Sequence, residues 1–287
     1  MKYLLSSFLA LSSIAWGEPH YRSEVKAFGV RLRTETVDHP IHESLKSTIE
    51  TEIPKYQISM DPDCRWRKPK DGICENPEAQ ETAKIEAFAE LMAKETLGFY
   101  NFRQRDGTGR VKRDFDGLSQ GYFIEAVKAM TVRPWLMDFA GDIYFSGGFE
   151  PEFPFTIPNP FLERLPNIKP YAQVKMASGF MLASTGRPLG ASIRGEVNDP
   201  DRVDDDIHRV ILFASPKFDG GRLDAWDTAI IAGGPKVVTH LETLLEFKGQ
   251  WAYLYFENKK NPFPPVCSTN LKCDLDEDGG VVRVPNW

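Results

Sequence analysis

The order in which two hydrophobic periodicities follow one another constrains this chain most. Apolar runs with strand character lie at 25–34, where Val25, Ala27, Val30 and Leu32 lead the pattern, and at 171–182, 209–214 and 251–256, and a hairpin-like apolar run lies at 135–145 with Gly141-Asp142 inside it. Helical stripes fall among them. Leu45, Ile49 and Ile53 recur at four-residue steps, which predicts a helix over 41–53 that Pro54 ends. Ile85, Phe88, Ala89 and Met92 form one stripe within 77–97, and Gly98 stops it. Two more helices are expected at 223–232 and 237–247, separated by Gly233-Gly234-Pro235. Strands and helices do not alternate as a doubly wound sheet requires. The expectation is a single α+β domain, with mixed or antiparallel sheets and packed helices.

The two ends read differently from the middle. Lys2 precedes the apolar run Tyr3-Leu4-Leu5-Ser6-Ser7-Phe8-Leu9-Ala10-Leu11, and Ala15-Trp16-Gly17 follows with small residues two positions apart. This is the pattern of a secretory signal peptide over 1–17, with the mature chain starting near Glu18. The apolar run is too short to span a bilayer, and no later run is long and apolar enough. No cysteine stands near the cut, which argues against a lipoprotein anchor. The expected location is the periplasm or another extracytoplasmic space. Residues 18–260 are read as the folded domain and 261–287 as a cysteine-containing acidic tail.

Four cysteines, Cys64, Cys74, Cys267 and Cys273, fall in two local pairs in an exported chain, which suggests two short-loop disulfides; the local pairing 64–74 and 267–273 is one of three possible connectivities. Zinc is the weaker reading, because C-x-x-C and histidine spacings are missing. The net charge of −6 gives no reason to expect nucleic acid as a partner. Within the tail, Asp274-Leu275-Asp276-Glu277-Asp278-Gly279 matches the first half of a calcium loop, but Pro285 stands where the loop needs its closing Glu. A solvated acidic segment is the preferred reading.

Four stretches could carry chemistry. In 116–127, a run of small residues feeds what reads as a helix from Tyr122 onward. Such a run either closes a core or brings backbone to a ligand. Asp224 and Thr228 lie one turn apart on a predicted helix, with Asp227 adjacent. A carboxylate and a hydroxyl suit a hard cation such as Mg²⁺; on spacing alone, a capping role for Asp224 and a core role for Thr228 are preferred. Asp138 and Asp142 flank Phe139-Ala140-Gly141 in an apolar run, where each must be satisfied by N–H groups, a cation or a ligand, unless they close an Asx turn. Ser184 and Thr185 end a strand and could contact phosphate or ribose, or form a turn. The basic run 103–113 reads as a solvated hairpin ahead of a phosphate contact.

Taken in order, these pieces resemble the ApbE family of flavin transferases (FAD:protein FMN transferases). Residues 114–122 look like the family's D-L-G-G-I-A-K-G-Y, and 137–143 look like V-D-L-G-G-D-I. Ala183-Ser184-Thr185-Gly186 is similar to A-T-S-G, and Leu223-Asp224-Ala225-Trp226-Asp227-Thr228-Ala229 to A-D-A-L-A-T-A. The stretch from Thr96 to Asn101 is weakly similar to T-D-G-A-F-D. The resemblance spans roughly 24–257.

It implies an FAD site and one Mg²⁺ held by Gly117, Asp224 and Thr228, with Asp227 nearby. It implies flavin contacts at Asp114, Gln120, Phe99, Tyr100, Asn101, Asp138, Asp142, Ser184, Thr185 and Val197. The implied reaction moves the FMN moiety of FAD onto a Thr or Ser hydroxyl of an exported or membrane-attached partner protein and releases AMP, with Asp224, Thr228 and Glu196 as catalytic residues. The alternatives are an FAD pyrophosphatase and a flavin-binding protein without activity. Two departures stand out. The family's H-I-I-D-P falls on Glu196-Val197-Asn198-Asp199-Pro200, with Glu in place of His, and the Lys of A-K-G is Gln120.

Overall fold

The first apolar run folds back on itself. Strands β1 (Tyr21–Ala27) and β2 (Val30–Thr36) pair antiparallel across Phe28-Gly29, where the single strand over 25–34 was expected. Both turn residues have positive φ, 51° and 80°, as a tight hairpin turn needs. Phe28 is an uncommon residue for that geometry. Its ring packs on Phe123 and Phe139 at 5.9 and 5.5 Å, contacts that offset the backbone strain. The computed structural model describes residues 21–36, 39–64, 74–105, 109–128, 135–146, 155–158, 170–175, 179–186, 206–259 and 263–287. The expected signal peptide, and Glu196 and Val197, lie outside them.

The hairpin starts an eight-stranded antiparallel sheet. It continues through β5 (Trp135–Phe139), β6 (Asp142–Phe145), β9 (Phe180–Gly186), β10 (Ile207–Ala214), β11 (Trp251–Glu257) and the short β12 (Val266–Cys267). Successive side chains alternate between two cores. Met137, Phe139, Tyr144, Met181, Val210 and Leu212 face a helix layer. Leu136, Ile143, Phe145, Leu182, Ile211 and Phe213 face a second sheet. Every residue of β10 is buried, as expected of a strand covered on both faces.

The helix layer holds α1 (His39–Ser59), α2 (Ala79–Glu95), α3 (Asp116–Val127), α4 (Gly220–Gly233) and α5 (Pro235–Glu242). α1 runs past Pro54, against the expectation that it stops there. A mid-helix proline costs about 3 kcal/mol. Here the turn beyond it is anchored, since Met60 is buried and Tyr56 packs edge-on against Phe123 at 5.5 Å. α5 ends at Glu242, and residues 245–247 form a separate 3₁₀ turn, so the single helix over 237–247 is corrected. The basic run is a hairpin of β3 (Arg103–Arg105) and β4 (Val111–Arg113).

The second sheet has the order β13 (Lys272–Asp276), β14 (Gly279–Arg283), β8 (Pro170–Lys175) and β7 (Phe155–Pro158). The run 171–182 is therefore two strands in two sheets. The segment read as a solvated tail is structural. β12 pairs with β11, β14 pairs parallel with β8, and Val282 is fully buried. Asp274 and Asp276 lie in a strand of a hairpin and not in a calcium loop. Both expected disulfides are present, Cys64–Cys74 and Cys267–Cys273. No helix of the described residues is long and apolar enough to cross a membrane. Val282→Ala is expected to lower unfolding stability by about 2 kcal/mol in a urea titration; an unchanged midpoint would mean that the C-terminal hairpin does not share the second core.

Candidate functional site

α4 is buried along nearly its whole length, so any charge on it needs a compensating partner. Its N-cap is Asp219, whose side chain accepts from Arg222 N at 2.8 Å. The capping role open to Asp224 in the sequence is therefore already filled. Asp224, Asp227 and Thr228 instead lie one turn inside, at positions i, i+3 and i+4 of one face. All three are buried.

α3 crosses α4 at backbone contact. A methyl group on Gly121 would stand 2.1 Å from the Gly220 carbonyl oxygen, and one on Gly220 would stand 2.5 Å from the Gly121 oxygen. Gly121 N donates to Asp224 Oδ2 at 2.9 Å. Glu125 accepts from Gly220 N at 2.9 Å, and Lys128 donates to Phe218 O at 2.7 Å. The helix already begins at Asp116, six residues before the expected start. Gly117 breaks the helical geometry in the first turn, with ψ of 19°. It lies against Thr228, where a methyl would come within 2.7 Å of both Oγ1 and Cγ2.

Asp142 opens β6. The turn at Ala140-Gly141 pairs it with Phe139, so it shares the face that looks at the helix layer. One oxygen of Asp142, one of Asp224 and one of Asp227 all lie within 4.8 Å of one another. Asp142 Oδ1 accepts from Ser184 N at 3.3 Å, and Oδ2 is buried with no N–H or hydroxyl donor, facing only the neighbouring carboxyls. Burial, followed by the charges of Asp224 and Asp227, pushes the Asp142 carboxyl well above the usual carboxylate range. Like charges at such a distance repel by on the order of 3 kcal/mol per pair at an effective dielectric constant of 20. Thr228 Oγ1 donates to Asp227 Oδ1 at 3.4 Å. Three carboxylates, a hydroxyl and nearby backbone form a hard oxygen donor set, and the buried bare oxygen of Asp142 fits a small divalent cation.

The other expected site residues separate into groups. Asp138 pairs across the sheet with Arg33 and shares the opposite face; its Oδ1 accepts from Gly141 N at 3.3 Å, the Asx turn left open above. Phe99 fills the core against Gly233, with Lys236 Nζ 4.8 Å from its ring centre. Asn101 accepts from Arg103 N at 3.0 Å and shapes the turn into β3. Asp114 accepts from Asp116 N at 3.2 Å at the head of α3. Gln120 is half-buried on α3. Ser184 brings its N–H to Asp142, and Thr185 follows it at the end of β9. Tyr100 is buried, and the charges of Asp224, Asp114 and Asp116 act on its hydroxyl. Two contributions go beyond what the resemblance implies: Asp142 joins the acidic trio, the cation option its apolar surroundings left open, where the resemblance implies a flavin contact, and Gly121 N–H holds Asp224. The first was recoverable from the two-residue turn, which sets Asp138 and Asp142 on opposite faces.

No family model and no curated protein sequence matches the chain. Solved structures do. The apo flavinyl transferase ApbE of Pseudomonas stutzeri superposes with a TM-score of 0.61 at 15% identity, covering 90% of this chain and 97% of its own. The flavin transferase ApbE of Vibrio cholerae gives 0.60 at 11%, covering 88% and 98%. The ApbE protein of Thermotoga maritima gives 0.58 at 15%, covering 83% and 94%.

The chain has the ApbE fold. At these identities the likeness is one of architecture. Gly121→Ala is expected to cost about 3 kcal/mol in urea unfolding, the upper end of overpacking effects. Wild-type stability in that variant would show that the two helices are not in backbone contact.

Proposed function

We propose that this chain is a divergent ApbE-family enzyme, an exported, Mg²⁺-dependent FAD:protein FMN transferase. The observation that carries the reading is the buried trio Asp142, Asp224 and Asp227 at the α3–α4–β6 junction of an ApbE fold. Two disulfides support export, since they belong to oxidising compartments.

Asp142, Asp224 and Asp227 would hold Mg²⁺, with Thr228 and Gly117 beside it. When bound, the ion neutralises pyrophosphate charge and stabilises charge developing on phosphoryl oxygens. The chain's own groups keep that donor set in place. Gly121 N–H orients Asp224, Ser184 N–H orients Asp142, and the Thr228 hydroxyl orients Asp227. These contacts pre-organise ligands that would otherwise repel one another. In the proposed reaction the phosphoanhydride of FAD breaks, a phosphoester forms on a Thr or Ser hydroxyl of an exported or membrane-attached acceptor, and AMP leaves. Glu196, at the family's His position, is assigned the proton of that hydroxyl.

Purified mature protein with FAD, Mg²⁺ and a flavin-accepting domain is expected to give AMP and covalent flavin in equal amounts. AMP without acceptor would favour FAD hydrolysis. Bound FAD without AMP in either tube would favour a carrier, and no FAD binding would overturn the reading. Asp224→Ala is expected to lower AMP formation by at least about a hundredfold, more than loss of an outer-shell partner costs, with an unchanged far-UV spectrum.

Metal binding has a separate readout. Mg²⁺ added to chelator-treated protein is expected to raise its melting temperature by about 5 °C. Asp142→Asn is expected to lose most of the Mg²⁺ shift, because an amide is a much poorer ligand for a hard cation than a carboxylate.

A further inference from the structure

Tyr100 follows the turn that closes α2. Gly98, with φ of 78°, sends its N–H to Ala93 O at 2.7 Å, and Tyr100 N donates to Thr96 Oγ1 at 3.1 Å. This turn delivers the Tyr100 side chain into the protein, where the residue is 2% exposed. Its hydroxyl is buried and makes no hydrogen bond. A buried hydroxyl without a partner loses its hydration and gains nothing in return. A phenylalanine ring would fill the same space without that loss.

The surroundings of the hydroxyl say what it awaits. Burial, then the charges of Asp224, Asp114 and Asp116, hold the phenol well above its usual range, so it keeps its proton and remains a donor. One of those acids belongs to the trio, and the other two lie at the head of α3, next to Gly117. Three carboxylates act on the hydroxyl, and none of them accepts from it. The acceptor therefore arrives with a ligand. A bare anion would be repelled by the same acids, so it must come paired with a cation. We propose that the Tyr100 hydroxyl donates a hydrogen bond to a phosphate oxygen of a ligand bound with the cation at Asp142, Asp224 and Asp227. This rests on the cation site described above and adds a specific donor for the phosphate.

The test uses Tyr100→Phe in the full mature chain, with Mg²⁺ and inorganic pyrophosphate as probes in titration calorimetry. Affinity for Mg²⁺ alone is expected to stay within about twofold. Affinity for pyrophosphate in saturating Mg²⁺ is expected to fall about tenfold, which is about 1.4 kcal/mol. Without metal, the variant is expected to show a higher urea midpoint than wild type, because an unpaired buried hydroxyl has been removed. Equal pyrophosphate affinity in the two proteins would overturn the proposal and leave the cation site standing. So would a loss of Mg²⁺ affinity, which would make Tyr100 part of the metal's own support. A lower urea midpoint would show that the hydroxyl is already bonded in the free protein, and would also overturn it. Wild-type protein that takes up no pyrophosphate in Mg²⁺ would overturn both this proposal and the functional reading above.

Discussion

Three carboxylates buried within a few ångströms of one another are the arrangement that the rest of this structure serves. Left alone they would separate, take up protons or draw in water. They stay because each is attached to a different support. Asp224 is held by a backbone N–H of the neighbouring helix, Asp142 by a backbone N–H of the neighbouring strand, and Asp227 by the hydroxyl of the next residue. None of these donors carries a full positive charge. They orient the acids without neutralising them, which is the condition a cation site needs.

That arrangement demands close approach, and close approach demands glycine. Gly121 and Gly220 let two helix backbones meet, and the meeting brings the N–H of one to the carboxylate of the other. Lys128 and Glu125 fasten the same helix pair from its far end. Trp226, between the two acids of α4, points away from them and donates to Glu95 at 2.5 Å. A side chain that large, bonded at its tip, resists rotation of α4. The acids therefore inherit their positions from packing on the opposite side of the helix.

Much of this was legible in the chain itself. The stripe of α2, the hairpin at 135–145 and the i, i+3, i+4 spacing of Asp224, Asp227 and Thr228 were readable because each depends on local periodicity. What was not legible depends on tertiary partners. Pro54 reads as a stop, yet α1 continues because aromatic rings from α3 receive its last turn. The run 171–182 reads as one strand, because a change of sheet leaves no mark on hydropathy. The acidic character of 274–278 reads as solvated, and alternate residues of β13 are exposed, but its neighbour β14 supplies the buried face. Asp138 and Asp142 look equivalent in sequence, and only the register of the β5–β6 turn separates a turn residue from a member of the trio.

The parallel pairing of β14 with β8 has a consequence for how the molecule is made. Val282 sits beside Val174, so the second sheet cannot close until residues 272–283 are in place beside a strand far earlier in the sequence. A polypeptide emerging in order can assemble the helix layer and most of the large sheet while one face of that sheet is still uncovered. Leu182, Ile211, Phe213 and Leu254 stay open to solvent on that face until β13 and β14 arrive. Such a chain is committed late to its final state. A nick ahead of β14 would leave that apolar face of the large sheet uncovered.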